Sequence, residues 1–169
     1  MLNVYRCFLF FLVCCGSAPS AFARGSLPAF QEYSVGLGSE LHNHAYVKTN
    51  EGSPAWESTR QAMAKHRPNL AGHYVAYSMD CGGGAICGEI LDVLTGKVVV
   101  GFPTAYSMSE KNAEQAFDFS TRPDSRLVVI LGIGQGKEKD QNGKIVPNGF
   151  YTRYYDFDGH TLKLVYLKN

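Results

Sequence analysis

Apolar and polar residues alternate along most of the chain after residue 70, which is the pattern of β-strands with one buried face. The strands predicted from this alternation cover residues 72–79, 88–93, 97–102, 114–119, 127–133, 150–157 and 162–167. The segment 127–133 is apolar on both faces, so we expect it to be a central strand. Asp158-Gly159, between the last two strands, is a dipeptide typical of tight hairpin turns.

One segment before the strands has the features of a helix. Ser53 is a residue type that favours the position before a helix, and Pro54 suits the first helical turn. Glu57 places a negative charge in that turn, where the helix dipole favours it. Pro68 cannot continue a helix, so the sequence predicts one helix over residues 54–67.

Together these elements predict an α+β fold that is mostly β. We expect an antiparallel meander, either a curved sheet or a half-open barrel, with the one helix packed against it. Residues 24–169 have the length of one ordinary domain. The segment 134–149 is polar and rich in glycine, and it allows two interpretations: a mobile loop, or a hairpin that turns at Asn142-Gly143.

The start of the chain resembles a cleavable secretory leader. An apolar run, CFLFFLVCC, covers residues 7–15 and is too short to span a membrane. Ala21-Phe22-Ala23 has the small-x-small pattern of a signal-peptidase site, which predicts a leader over residues 1–23 and a mature chain that begins at Arg24. The alternative is a lipoprotein modified at Cys14 or Cys15. We expect a periplasmic or secreted protein without a membrane span in its mature chain.

Charge excludes two classes of partner. The chain has 16 Lys and Arg residues and 15 Asp and Glu residues, and loss of the leader removes Arg6 and no acid. The mature chain is therefore balanced in charge and has no basic run. Nucleic-acid binders need a positive field that displaces counterions from phosphate, so nucleic acid is not an expected partner. The same balance argues against binding through a polybasic membrane surface.

Two cysteines remain in the mature chain, and their spacing predicts a disulfide between Cys81 and Cys87. A zinc site would need two further ligands, and a redox pair would have Cys-x-x-Cys spacing. The enclosed residues are Gly82, Gly83, Gly84, Ala85 and Ile86. Such a loop is either a pre-organised projection tipped by Ala85 and Ile86, able to enter another protein's cleft, or a wide turn closed for stability.

The histidines do not predict a catalytic or metal site. His42 and His44 would point to one side of a strand, with Glu40 nearby. No further ligand follows at a spacing typical of metal sites, so we interpret the two histidines as exposed polar residues. His73 lies within a predicted strand on an otherwise apolar face, and we expect a buried histidine with a backbone partner.

Other candidate motifs are explained by turns. Asp140-Gln-Asn-Gly143 and Asp156-Phe-Asp-Gly159 resemble the start of a calcium loop but lack its final glutamate. The glycines of 132–137 lack the spacing of a phosphate-binding loop. The sequence has no Gly-x-Ser-x-Gly elbow and no evident carboxylate pair. We therefore expect no catalytic residues, no metal and no cofactor.

Several segments resemble a group of small exported bacterial proteins without an established activity. The segments that carry the resemblance are Asn69-Leu-Ala-Gly-His-Tyr74, Asp80-Cys-Gly-Gly-Gly-Ala-Ile-Cys87, Asp92-Val-Leu-Thr-Gly-Lys97, Arg122-Pro-Asp-Ser-Arg-Leu127 and Tyr154-Tyr-Asp-Phe-Asp-Gly159. The disulfide loop is also similar to that of the Ivy family of periplasmic lysozyme inhibitors, whose loop fills the lysozyme cleft. Five residues separate the cysteines here, against four in that family.

The functional hypothesis from the sequence is a periplasmic binding or inhibitor protein. Its partner would be another protein, such as a cell-wall-degrading enzyme against which it gives immunity, and the contact would be the loop 81–87. The alternatives are a non-catalytic accessory module of the envelope and, third, a hydrolase whose active site the sequence does not reveal.

Overall fold

The computed structural model describes residues 26–37, 45–48, 53–108 and 116–169, and the structural statements that follow concern these ranges. They contain a short 3₁₀ helix, η1 (Phe30–Tyr33), and one α-helix, α1 (Pro54–Met63). The strands are β1 (Tyr74–Gly82), β2 (Ala85–Asp92), β3 (Lys97–Gly101), β4 (Tyr106–Ser107), β5 (Asp118–Ser120), β6 (Leu127–Ile133), β7 (Glu138–Lys139), β8 (Ile145–Val146), β9 (Phe150–Phe157) and β10 (Leu162–Lys168). All strand pairs are antiparallel, so the prediction of an α+β, mostly β fold is confirmed.

The strands form two four-stranded sheets and one small hairpin. In the first sheet β2 lies between β1 and β3, and β4 also pairs with β2. The second sheet has the order β10-β9-β6-β5, and the β7–β8 hairpin is inserted between β6 and β9. Most strands pair with the strand that follows them in the chain, as expected of a meander, and the exceptions are β4, which pairs with β2, and β6, which pairs with β9 across the inserted hairpin.

The core lies on both faces of the first sheet. Ala76 of β1 and Ile90 of β2 belong to a cluster with residues of the second sheet, among them Val128 and Phe157. A second cluster occupies the opposite face; its buried members are Ala64, Val75, Tyr77, Leu91 and Val93. Because successive residues of a strand point to opposite faces, the first sheet packs against the second sheet on one side and against the end of α1 on the other.

The helix begins where the sequence predicted and ends earlier. Pro54 occupies the first turn, but the helix ends at Met63 and not at residue 67. The next residues form a tighter turn, in which Lys65 N donates to Ala62 O and His66 N donates to Met63 O. Pro68 restricts the residue before it to extended conformations, so the last helical turn cannot form. No helix in the described ranges has the length and apolar content to cross a membrane.

The later strands agree closely with the sequence. β6, β9 and β10 cover the predicted segments, and β6 lies between two neighbours as a central strand should. In the turn after β9, the Asp158 carboxylate accepts hydrogen bonds from the backbone N–H groups of Thr161 and His160. These bonds, the one from Thr161 first, lower the pKa of Asp158 to about 2.

Elsewhere the strand boundaries differ from those expected. β1 begins at Tyr74 and continues to Gly82, and the short strand β4 was not predicted. The strand expected over 114–119 is present as β5, Asp118–Ser120, and the first residues of the expected strand lie outside the described ranges. The 134–149 segment contains the β7–β8 hairpin, so the hairpin interpretation is confirmed.

Candidate functional site

The predicted disulfide between Cys81 and Cys87 is present, with the two Cα atoms 5.7 Å apart. It lies where β1 and β2 join, at an irregularity in the pairing between Asp80 and Gly82. The cross-link therefore closes the end of a long hairpin, and the three glycines form its turn.

The three glycines are exposed and adopt a backbone conformation that favours glycine. The φ angles of Gly82, Gly83 and Gly84 are +91°, +64° and +73°. A Cβ atom built on any of the three would meet no other atom of the described residues within 4 Å. The glycines are therefore required by the backbone angles and not by crowding, and the turn that they form is thin and uncovered by the described residues.

The rest of the loop differs from the prediction. Ala85 and Ile86 were expected at the tip, but they are the first residues of β2, where Ala85 is only 6% exposed and Ile86 is half-buried. They pair with Ser107 and Tyr106 of β4, so the expected position of Ala85 and Ile86 is wrong. Pairing with β4 draws these two residues into the first sheet, and the exposed tip consists of the glycines alone.

Met108 supplies an apolar group beside the glycines. Its backbone N–H donates to Gly84 O at 2.9 Å, and its side chain is 45% exposed. On the other side of the turn, the Asp80 carboxylate accepts a hydrogen bond from Gly82 N at 2.7 Å. We call Gly82, Gly83, Gly84 and Met108 the tip surface. Sequence reasoning missed Met108 because its position depends on the pairing of β4 with β2.

Replacing Cys81 with serine should lower the free energy of unfolding by about 2 kcal/mol, because the unfolded chain regains the freedom that the short disulfide ring removes. The measurement is urea denaturation of the variant beside the oxidised wild type. Reduced wild type is the matched control and should lose the same stability. Equal midpoints for oxidised and reduced protein would contradict a stabilising role for the disulfide.

A second candidate site surrounds Arg153, whose side chain is completely buried in the second sheet. Its Nε and Nη2 atoms donate to the two carboxylate oxygens of Glu138 at 2.7 and 2.8 Å. Its Nη1 atom donates to the carbonyl oxygens of Gly132 and Tyr151, each at 3.0 Å. The guanidinium also lies 5.2 Å from the ring centre of Tyr106. These bonds fix the position of Arg153 and attach the β7–β8 hairpin to the second sheet.

An open cleft of about 450 Å³ lies against this ion pair, and we call it the Arg153 cleft. Its lining residues come from the loop before β4, from the β7 region and from strands β9 and β10: Pro103, Thr104, Gln135, Lys137, Glu138, Lys139, Arg153, Tyr155, Leu162 and Leu164. Sequence reasoning marked the 134–149 segment only as a loop or hairpin, and nothing in its composition indicated a cleft.

The buried tyrosines near these sites are held in the neutral form. Burial raises the pKa values of Tyr106 and Tyr155. Burial, followed by a hydrogen bond to Glu89, raises the pKa of Tyr77. A phenol with a raised pKa cannot serve as a proton acceptor near neutral pH, so these side chains contribute packing, and the Tyr77 hydroxyl also donates a hydrogen bond to Glu89.

The histidines have other roles than expected. His73 was predicted to be buried within a strand, but it precedes β1 and is half-exposed. Its Nε2 atom lies 3.8 Å from the Asp92 carboxylate, and its ring stacks on Tyr74 with 4.2 Å between centres. The prediction for His73 is therefore wrong in burial and in partner. His42, His44 and Glu40 lie outside the described residues.

Two of the segments that carry the family resemblance contact each other. The bonds that join them run from Ala71 N to Ser125 O at 3.0 Å and from Gly72 N to Pro123 O at 2.6 Å. The Asn69 side chain bonds both the N–H and the C=O of Ala76, each at 2.8 Å, as a neighbouring strand would. These segments thus stabilise the edge of β1 and its junction with the turn before β6.

Comparison with known proteins identifies no family. The chain matches no protein-family model, no curated protein and no solved structure.

Proposed function

We propose that this is an exported binding protein that inhibits a cell-wall-degrading enzyme, and that the tip surface enters the active-site cleft of that enzyme. The observation that carries the proposal is that three exposed glycines adopt positive φ angles and that no described residue lies within 4 Å of their Cβ positions. A turn without side chains is the narrowest projection that a polypeptide can form, and it suits a cleft built for a polysaccharide strand.

The tip surface is ordered before it meets a partner. The disulfide, the bond from Gly82 N to Asp80 and the bond from Met108 N to Gly84 O hold the turn from three directions. Three glycines without such restraints would lose much conformational freedom on binding. Because the turn has already lost this conformational entropy on folding, its association with an enzyme costs little further entropy.

Met108 supports the proposal as a source of affinity. Binding interfaces concentrate their energy in a few large side chains near the centre of the contact. A flexible, polarisable methionine adapts to pockets of irregular shape. The backbone of Met108 is bonded to Gly84 and its side chain is nearly half exposed, so the side chain is available to contact the wall of a cleft that the turn enters.

Replacing Gly83 with asparagine should weaken binding to the enzyme by about thirtyfold or more, because a side chain is added where the turn must fit a narrow cleft. Asparagine tolerates positive φ better than other side chains, so the fold should be retained. Gly143→Asn is the matched control: that glycine is also in an exposed hairpin with φ of +81° and no atom near its Cβ position. The control should bind as the wild type does.

The measurement uses a panel of lysozymes and other peptidoglycan hydrolases, each assayed by the clearing of a peptidoglycan suspension. Binding constants for any inhibited enzyme are then measured with the two asparagine variants. Equal loss of affinity in both variants would indicate a stability effect. Unchanged affinity in Gly83→Asn would place the contact elsewhere, and no inhibition across the panel would favour an accessory module of the envelope.

The proposal also requires export. Mass spectrometry of the protein from its native host should give a chain that begins at Arg24, because Ala21-Phe22-Ala23 supplies the small residues that signal peptidase requires. An intact Met1 start in a cytoplasmic fraction would contradict the proposed compartment. A lipid attached to Cys14 or Cys15 would instead establish the lipoprotein alternative.

A further inference from the structure

We propose that the Arg153 cleft is a second site, which binds a small organic anion with a short apolar body. Lys137 and Lys139 would hold the charged group, and Leu162 and Leu164 would contact the body. The inference does not depend on the inhibitor function, because the cleft and the tip surface share no residue.

The charge of the cleft selects an anion. Glu138 is the only acid among the described residues that line the cleft, and both of its carboxylate oxygens accept hydrogen bonds from Arg153. The paired charges cancel at the floor of the cleft. Lys137 and Lys139 remain as exposed cations on the lining, so the cleft has a net positive charge that attracts an anion and repels a cation.

The opposite wall supplies an apolar surface. Leu162 and Leu164 lie two residues apart on β10, so both side chains face the same side of the strand, and both are half-buried against the core. Small-molecule sites combine such apolar walls with a few placed polar groups, and the cleft volume falls within their usual range of about 300–1,000 Å³. A ligand that is charged at one end and apolar at the other can contact the lysines with its charged group and the leucines with its apolar body.

The walls are held in place without a ligand. Thr104 Oγ1 donates to Gln135 O at 2.7 Å, and Gln135 N donates to Ala105 O at 2.8 Å, which joins the loop before β4 to the segment after β6. Gly134 allows the carboxylate of Glu138 to lie against the backbone, where a Cβ would collide with it. A site ordered before binding loses little entropy when a ligand enters.

The first experiment compares four probes that share a six-carbon chain: hexanoate, hexyl phosphate, hexanamide and hexylamine. Binding is followed by two-dimensional NMR of the ¹⁵N-labelled protein. We expect the two anions to shift the amide signals of the 135–139 segment and of β10, and to bind at least about tenfold more tightly than the neutral amide. The ratio of hexanoate to hexyl phosphate affinity distinguishes a carboxylate ligand from a phosphate ester.

The second experiment removes the lysine charges. Lys137→Gln with Lys139→Gln should weaken hexanoate binding by about fivefold to tenfold, and raised salt should weaken binding to the wild type. Lys163→Gln is the matched control, because Lys163 is an exposed lysine between Leu162 and Leu164 that faces the other side of β10. Equal binding of hexanoate and hexanamide, or equal effects of the lysine variants and the control, would overturn the proposal.

Discussion

Replacing Glu89 with glutamine should lower the free energy of unfolding by about 3 kcal/mol, because the buried Arg60 guanidinium loses its two-point carboxylate partner and keeps only Glu57, at 2.9 Å from Nη1, as a counter-charge. Arg60 of α1 is 5% exposed and Glu89 of β2 is 8% exposed. Arg60 donates to both carboxylate oxygens of Glu89, at 2.9 Å from Nε and 2.6 Å from Nη2. The Tyr77 hydroxyl donates to the same carboxylate at 2.6 Å.

The hydrogen bond to Glu89 is the main cause that raises the pKa of Arg60, and burial opposes it. The arginine cannot lose its proton to escape the buried position, so the variant must accommodate a charge or release the helix. Urea denaturation of Glu89→Gln beside the wild type measures the loss. Arg126→Gln is the control, because it breaks the more exposed ion pair with Asp156 and should cost less than about 1 kcal/mol.

A double variant separates the loss of the Arg60–Glu89 attraction from the cost of burying a charge that has lost one of its partners. Arg60→Met combined with Glu89→Leu removes both charges and fills the space with apolar groups, which should recover part of the stability that Glu89→Gln loses. The recovery is partial because Glu57 and the Tyr77 hydroxyl each lose a partner in the double variant. If the double variant is as unstable as the single one, the hydrogen bonds themselves hold α1 on the sheet. If Glu89→Gln costs less than 1 kcal/mol, the helix is not docked through this pair.

The features that could be predicted from sequence are those that depend on neighbouring residues. The start of α1 follows from Ser53-Pro54, and the β9–β10 hairpin follows from Asp158-Gly159 between two alternating runs. The disulfide follows from two cysteines in a short segment. In each case the physical cause acts over a few residues, so the local sequence is enough to predict it. These causes are a proline ring, a tight turn and a cross-link.

The features that could not be predicted depend on distant pairing. β4 has two residues and therefore no periodicity, but its pairing with β2 moves Ala85 and Ile86 from the tip into the sheet and brings Met108 to Gly84. The floor of the Arg153 cleft joins residues 15 positions apart, and the Arg60–Glu89 pair joins residues 29 positions apart. A single charged residue in a strand is normally exposed, so its burial follows only from the partner that the fold provides.

Replacing Arg153 with methionine should have an effect of similar size, about 3–5 kcal/mol of unfolding free energy, because the change leaves buried acceptors without donors. Arg153 is 1% exposed. The carbonyl oxygens of Gly132 and Tyr151 would each lose a bond from Nη1, and Glu138 would lose both of its bonds. Methionine fills part of the volume and can donate to none of these groups. Thermal and urea denaturation measure the loss.

Glu138→Gln tests the same pair from the other side and should give a local effect. Glu138 is partly exposed, so water can replace it, and Arg153 keeps its bonds to the two carbonyl oxygens. The β7–β8 hairpin has only two-residue strands and is marginal alone, so weaker attachment should increase hydrogen exchange at the Asp140 amide by about tenfold while global stability falls by less than in Arg153→Met. Equal losses of global stability in the two variants would show that the hairpin and the second sheet unfold as one unit.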